Sequence, residues 1–76
     1  MINITLPPLA EGIEKASVSY WFKQPGDMVK VGEELVELVT DKASFNIPAP
    51  ASGTLRVIRV PAGQEADIGS LLGEIA

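Results

Sequence analysis

The chain contains no cysteine and no histidine. Without cysteine there is no disulfide, no thiol nucleophile and no cysteine-based metal site. Without histidine the commonest general base and metal ligand are missing. Long apolar runs are missing too: no segment approaches the ~18 residues of a membrane span. No signal peptide is visible, because Met1 leads straight into strand-like sequence. Basic residues are few, six against ten acidic, for a net charge of -4. That balance argues against nucleic acid, whose phosphates call for a basic surface. Together these absences weigh against an enzyme with its own catalytic shell and against a zinc module. They describe a soluble domain, expected to be cytoplasmic.

The 76 residues fit one domain, 1–76. A chain of this size buries only roughly 60% of its unfolded surface, so a deep pocket would be hard to house. No Ala/Pro-rich linker is seen at Ala76, so the domain is expected to be freestanding or bounded there.

Six prolines and seven glycines scatter along the chain and break any long helix. Apolar residues recur at short spacing: Ile2, Ile4 and Leu6; Val29 and Val31 around Lys30; Leu55 and Val57 around Arg56. The run from Glu33 to Val39 has some helical propensity. It is rich in valine, bounded by Gly32 and Asp41-Lys42, and too short for a stable helix, so it is predicted to be a strand. The chain is therefore predicted to be all-β, a barrel or sandwich of short strands.

An internal repeat supports this. At a shift of 37 residues Gly26 falls on Gly63, Gly32 on Gly69, Leu35 on Leu72 and Glu37 on Glu74. Strand alternation breaks at the same place in both halves, at Val18-Ser19-Tyr20-Trp21 and Leu55-Arg56-Val57-Ile58. A bulge at each place would turn Trp21 and Ile58 inward. Two similar halves related by a pseudo-two-fold are expected. The chain ends would then meet far from the turn at Thr40-Asp41-Lys42-Ala43.

That turn separates two predicted strands and sets Lys42 at a hairpin tip, where a modifying enzyme can reach it. Glu33, Glu34 and Glu37 alternate in direction and are expected to be solvated surface. Trp21, beside Tyr20 and Phe22, is expected in the core. Arg56 and Arg59 are expected to be plain surface charges.

Asp41-Lys42-Ala43, followed by Ser44-Phe45-Asn46-Ile47-Pro48-Ala49-Pro50 and Ser52-Gly53, resembles the lipoyl domains of 2-oxo acid dehydrogenase acyltransferases. The similarity extends over the whole chain, through Leu6-Pro7, Glu11-Gly12-Ile13, Trp21, Pro25-Gly26-Asp27, Val31-Gly32, Gly63 and Gly69. It departs at Val39, where that family often has Glu, and at Ala16, where it often has Gly. The resemblance implies a flattened barrel-sandwich hybrid of two four-stranded antiparallel sheets, monomeric as an isolated domain. It implies lipoate amide-linked to Lys42 by a lipoate ligase or lipoyl/octanoyl transferase, with Asp41 and Ala43 flanking the site. Asp41 is expected to fix the turn by local hydrogen bonding, and the small Ala43 to leave the amine accessible.

The resemblance further implies that the domain is not itself catalytic. As a swinging-arm carrier it would be reductively acylated by a thiamin-dependent 2-oxo acid decarboxylase. It would then deliver the acyl group to an acyltransferase core and be reoxidised by dihydrolipoamide dehydrogenase. The loop containing Glu11, Gly12 and Ile13 is the expected recognition element for the decarboxylase. Two alternatives stand beside this: a biotin carrier of a carboxylase, and a β interaction module with Lys42 unmodified. Biotin carriers place methionines around the lysine, whereas Asp41 and Ala43 stand here.

Overall fold

The computed structural model describes all 76 residues. Eight strands follow in chain order: β1 Ile2–Thr5, β2 Lys15–Trp21, β3 Met28–Val29, β4 Glu34–Val39, β5 Ser44–Pro48, β6 Gly53–Ile58, β7 Glu65–Asp67 and β8 Leu71–Ile75. They form two four-stranded antiparallel sheets, ordered β1-β8-β6-β3 and β5-β4-β2-β7. The body is flattened, 32 × 20 × 17 Å. The valine-rich segment with helical propensity is strand β4, as its length and bounding turn residues predict.

The two sheets are one pattern used twice. Adding four to each strand number of β1-β8-β6-β3, and counting on from eight to one, gives β5-β4-β2-β7. The pairing register shifts between Val18 and Tyr20 in β2 and between Leu55 and Val57 in β6, so the break in alternation is a bulge in both halves. The loop bonds repeat as well. The Gly26 and Gly63 amides donate to the Leu55 and Val18 carbonyls, each at 2.8 Å. Both glycines have positive φ, 99° and 95°, a backbone that an L-residue with a Cβ rarely adopts.

A 15-residue apolar cluster fills the space between the sheets, with Leu35, Val36, Leu38, Leu55, Leu72 and Ile75 fully buried. The bulge in β2 turns Trp21 into this core at 4% exposure, and its indole N–H donates to the Val60 carbonyl at 2.9 Å. Gly73 makes room for the ring: a Cβ there would stand 3.3 Å from Trp21 Cη2 and 2.7 Å from the Val57 carbonyl oxygen. Ile58, the counterpart of Trp21, is half-buried against the same cluster.

Two expectations need correction, one from alternation at Val31 and one for Arg59. Val29 is buried but Val31 is 65% exposed, because β3 is only two residues long and the chain is already turning at Val31 and Gly32. Arg59 is more than a plain surface charge: its Nε and Nη2 both donate to one oxygen of Glu74, at 3.0 and 2.7 Å. Tyr20 and Phe22 lie outside the core, edge to face with their ring centroids 5.1 Å apart.

Candidate functional site

Strands β4 and β5 form a hairpin whose last ladder pair is Val39 with Ser44. The tip is Thr40-Asp41-Lys42-Ala43. Neither Asp41 nor Lys42 has positive φ, so this two-residue turn is not one of the primed types that match hairpin twist. Thr40 holds it closed instead. Its amide donates to the Ala43 carbonyl at 2.8 Å, and its hydroxyl donates to the same oxygen at 2.9 Å. The same hydroxyl oxygen accepts the Lys42 and Ala43 amides at 3.2 and 3.1 Å. One donated and two accepted bonds use the full capacity of a hydroxyl. Threonine side chains favour turns by this kind of local bonding. The role expected of Asp41 thus falls to Thr40, since the exposed Asp41 carboxylate makes no hydrogen bond.

Lys42 is exposed and its ammonium has no ion-pair partner. Lys15 is paired with Glu65 at 3.7 Å and Lys23 with Glu33 at 3.4 Å. Lys30 is also without an ion pair, but it sits beside the Gly32 turn, away from any hairpin tip. Ala43 is exposed beside the amine and presents no bulk.

The register of β2 on β4, Ser17 opposite Val39, brings the start of β2 and the loop before it up to the tip. A shallow groove there is lined by Gly12, Ile13, Glu14 and Lys15 on one side and by Asp41 and Lys42 on the other. Two of the three expected recognition residues, Gly12 and Ile13, therefore lie beside Lys42. Glu11 is exposed but does not line this groove. A second shallow groove, including Ser17, Thr40 and Glu65, flanks the tip. Neither is an enclosed pocket, so the tip offers a free amine on a projecting turn and no cavity in which a small molecule would be held.

The loop is where the two halves differ. The β1–β8 pairs Ile2–Ile75, Asn3–Glu74, Ile4–Gly73 and Thr5–Leu71 correspond to the β5–β4 pairs Phe45–Leu38, Asn46–Glu37, Ile47–Val36 and Pro48–Glu34. The offset is 37 residues between β4 and β8 but 43 between β1 and β5, so the connection from β1 to β2 carries six extra residues. Leu9 packs on the core and ties this longer loop down. The same correspondence carries the hairpin tip onto the two chain ends, which pair at Ile2 and Ile75. The insertion thus stands beside Lys42 and the termini at the pole related to it by the pseudo-two-fold.

Residues 2–75 match a family model described as biotin-requiring enzyme, the biotin/lipoyl family. The chain is 40% identical, over its whole length, to the dihydrolipoyllysine-residue succinyltransferase component of the 2-oxoglutarate dehydrogenase complex of Bacillus subtilis. Over 99% of its length it is 38% identical to the dihydrolipoyllysine-residue acetyltransferase component of the pyruvate dehydrogenase complex of Rhizobium meliloti. It spans only 18% and 17% of those two proteins. The solution structure of the lipoyl domain of the 2-oxoglutarate dehydrogenase complex from Azotobacter vinelandii superposes with a TM-score of 0.80 at 34% identity, covering 100% of this chain and 96% of that one.

Proposed function

The chain belongs to the biotin/lipoyl family, among the lipoyl domains of 2-oxo acid dehydrogenase acyltransferases, and from that premise we propose that Lys42 carries lipoate as an amide and serves as the root of a swinging arm. The observation that supports this most is the unpaired Lys42 amine on a projecting turn closed by Thr40. A covalent arm needs a free amine and open space around it, and the tip provides both. Asp41 and Ala43, in place of flanking methionines, favour lipoate over biotin.

When attached, lipoate supplies a dithiolane that is acylated with reduction by a thiamin-dependent decarboxylase, gives the acyl group to an acyltransferase and is reoxidised by dihydrolipoamide dehydrogenase. The domain contributes presentation. Strands β4 and β5 hold the tip clear of the barrel, and the termini leave from the related pole, so a tether there does not obstruct the arm. Tethering raises the effective concentration of the arm at each partner site. The six-residue insertion supplies a recognition surface that the other half lacks. Gly12 and Ile13 in the groove, with Glu11 on the same loop, are the proposed contacts to the decarboxylase.

Intact mass separates the possible modifications. With lipoate and lipoate ligase, one lipoyl group is expected per chain. Amide formation removes one positive charge, so the net charge is expected to move from -4 by one unit in the negative direction, visible on a native gel. Biotin with a biotin ligase is expected to leave the mass unchanged. Biotinylation without lipoylation would instead assign the domain to carboxylase chemistry.

A further inference from the structure

We infer that Thr40 is a positioning residue for attachment at Lys42, acting through the turn rather than on the incoming acyl group. This rests on Lys42 being the lipoyl site. Attachment joins Lys42 Nζ to the carbonyl carbon of a lipoate activated as an acyl adenylate. The bond from that carbon to phosphate oxygen breaks, the nucleoside monophosphate leaves, and two protons leave the ammonium on the way to the amide. The lysine side chain is flexible along its methylenes, so the tip governs only where that side chain is rooted and which way it departs. That departure is set by the backbone at Asp41 and Lys42.

The Thr40 hydroxyl controls this backbone. It spans the turn with three bonds, to the Lys42 amide at 3.2 Å, the Ala43 amide at 3.1 Å and the Ala43 carbonyl at 2.9 Å. No other side chain bonds to the tip, and the turn type does not itself match the twist of the strands. All three bonds are exposed, so without the hydroxyl the two amides turn to water and the fold loses little. The loss is in the fraction of time the lysine root points along one direction. Misplacement on the order of 1 Å can reduce a group-transfer rate about a hundredfold. Asp41, the neighbour whose side chain would be suspected first, bonds to nothing.

The test compares Thr40→Val, which keeps the shape and removes the hydroxyl, with Thr40→Ser, which keeps the hydroxyl and removes the methyl. Each folded chain is given lipoate ligase, ATP and lipoate, and attachment is followed by mass. The Val variant is expected to lose roughly ten- to a hundredfold in kcat with KM for the domain little changed. The Ser variant is expected to stay within about threefold of the parent, as one hydroxyl replaces another. Amide hydrogen exchange gives a readout independent of the ligase: in the Val variant, exchange at Lys42 and Ala43 is expected to rise with core amides unchanged. A Val variant that attaches lipoate at the parent rate overturns the role of Thr40 and leaves Lys42 as the lipoyl site. So does a Ser variant as slow as Val, or a slow Val variant whose Lys42 and Ala43 amides stay protected. A parent chain that accepts no lipoate overturns both.

Discussion

Lys42→Ala is expected to abolish lipoyl attachment, and with it all acylation by a 2-oxo acid decarboxylase, while barely moving the thermal midpoint. The two effects separate because the side chain and backbone of Lys42 have different roles. The side chain makes no ion pair and no hydrogen bond; the backbone amide donates to Thr40 Oγ1 at 3.2 Å. Alanine keeps that amide and the negative φ. An exposed substitution of this kind is worth within about 0.5 kcal/mol. Mass spectrometry after ligase treatment checks the first part and a thermal melt the second. A midpoint lowered by many degrees would give Lys42 a structural role that its contacts do not show. Attachment persisting in the variant would place the arm on another lysine.

Trp21→Ala is expected to have the opposite profile, a severe loss of stability with no direct effect on the attachment chemistry. The ring is 4% exposed, lies against Gly73 between the sheets, and anchors its indole N–H on Val60 at 2.9 Å. Removing a buried aromatic ring costs about 3–5 kcal/mol through lost burial and the cavity left behind. The Val60 carbonyl also loses its indole partner. A domain of this length has a total stability on the order of 5–10 kcal/mol. Urea unfolding is therefore expected to show either a greatly lowered midpoint or no folded baseline. A loss below about 1 kcal/mol would mean that the core closes over the gap, contrary to the packing of Trp21 against Gly73.

Much of the fold is legible in the sequence because strand period and turn chemistry are local. The glycines spaced by 37 residues mark equivalent turns, and the broken alternation before Trp21 and Ile58 marks both bulges. Other features depend on which strands pair. The equivalence of Ile4 with Ile47 and of Leu6 with Ala49 is hidden at a shift of 37, because the six-residue insertion moves β1 out of phase. With it hides the fact that the loop containing Glu11, Gly12 and Ile13 is the main asymmetry of the barrel. Val31 alternates with Val29 yet faces solvent, since alternation does not reveal that β3 stops after two residues.

At the candidate site, Lys42 could be singled out because a polar break between two strand-like runs places it at a tip. The device that closes the tip is less legible. Thr40 and Asp41 are both turn-forming residues, and either side chain could bond the following amides. Which one does so depends on the backbone path after Val39, which the ladder pair with Ser44 fixes. The ion pairs of Lys15 and Lys23 likewise join residues distant in sequence, Glu65 and Glu33.

The β4–β5 tip is proposed to present Lys42, and no other lysine, for attachment. Peptide mapping of the unaltered chain after limited treatment with lipoate ligase tests this most directly. The chain contains three further lysines, Lys15, Lys23 and Lys30. Lys30 is the decisive comparison, since it too lacks an ion pair but is away from any hairpin tip. Every lipoyl group is expected to map to Lys42 and none to Lys15, Lys23 or Lys30. Lipoate on Lys30 at a comparable rate, or spread over all the lysines, would show that accessibility alone selects the amine and would contradict the role given to the hairpin.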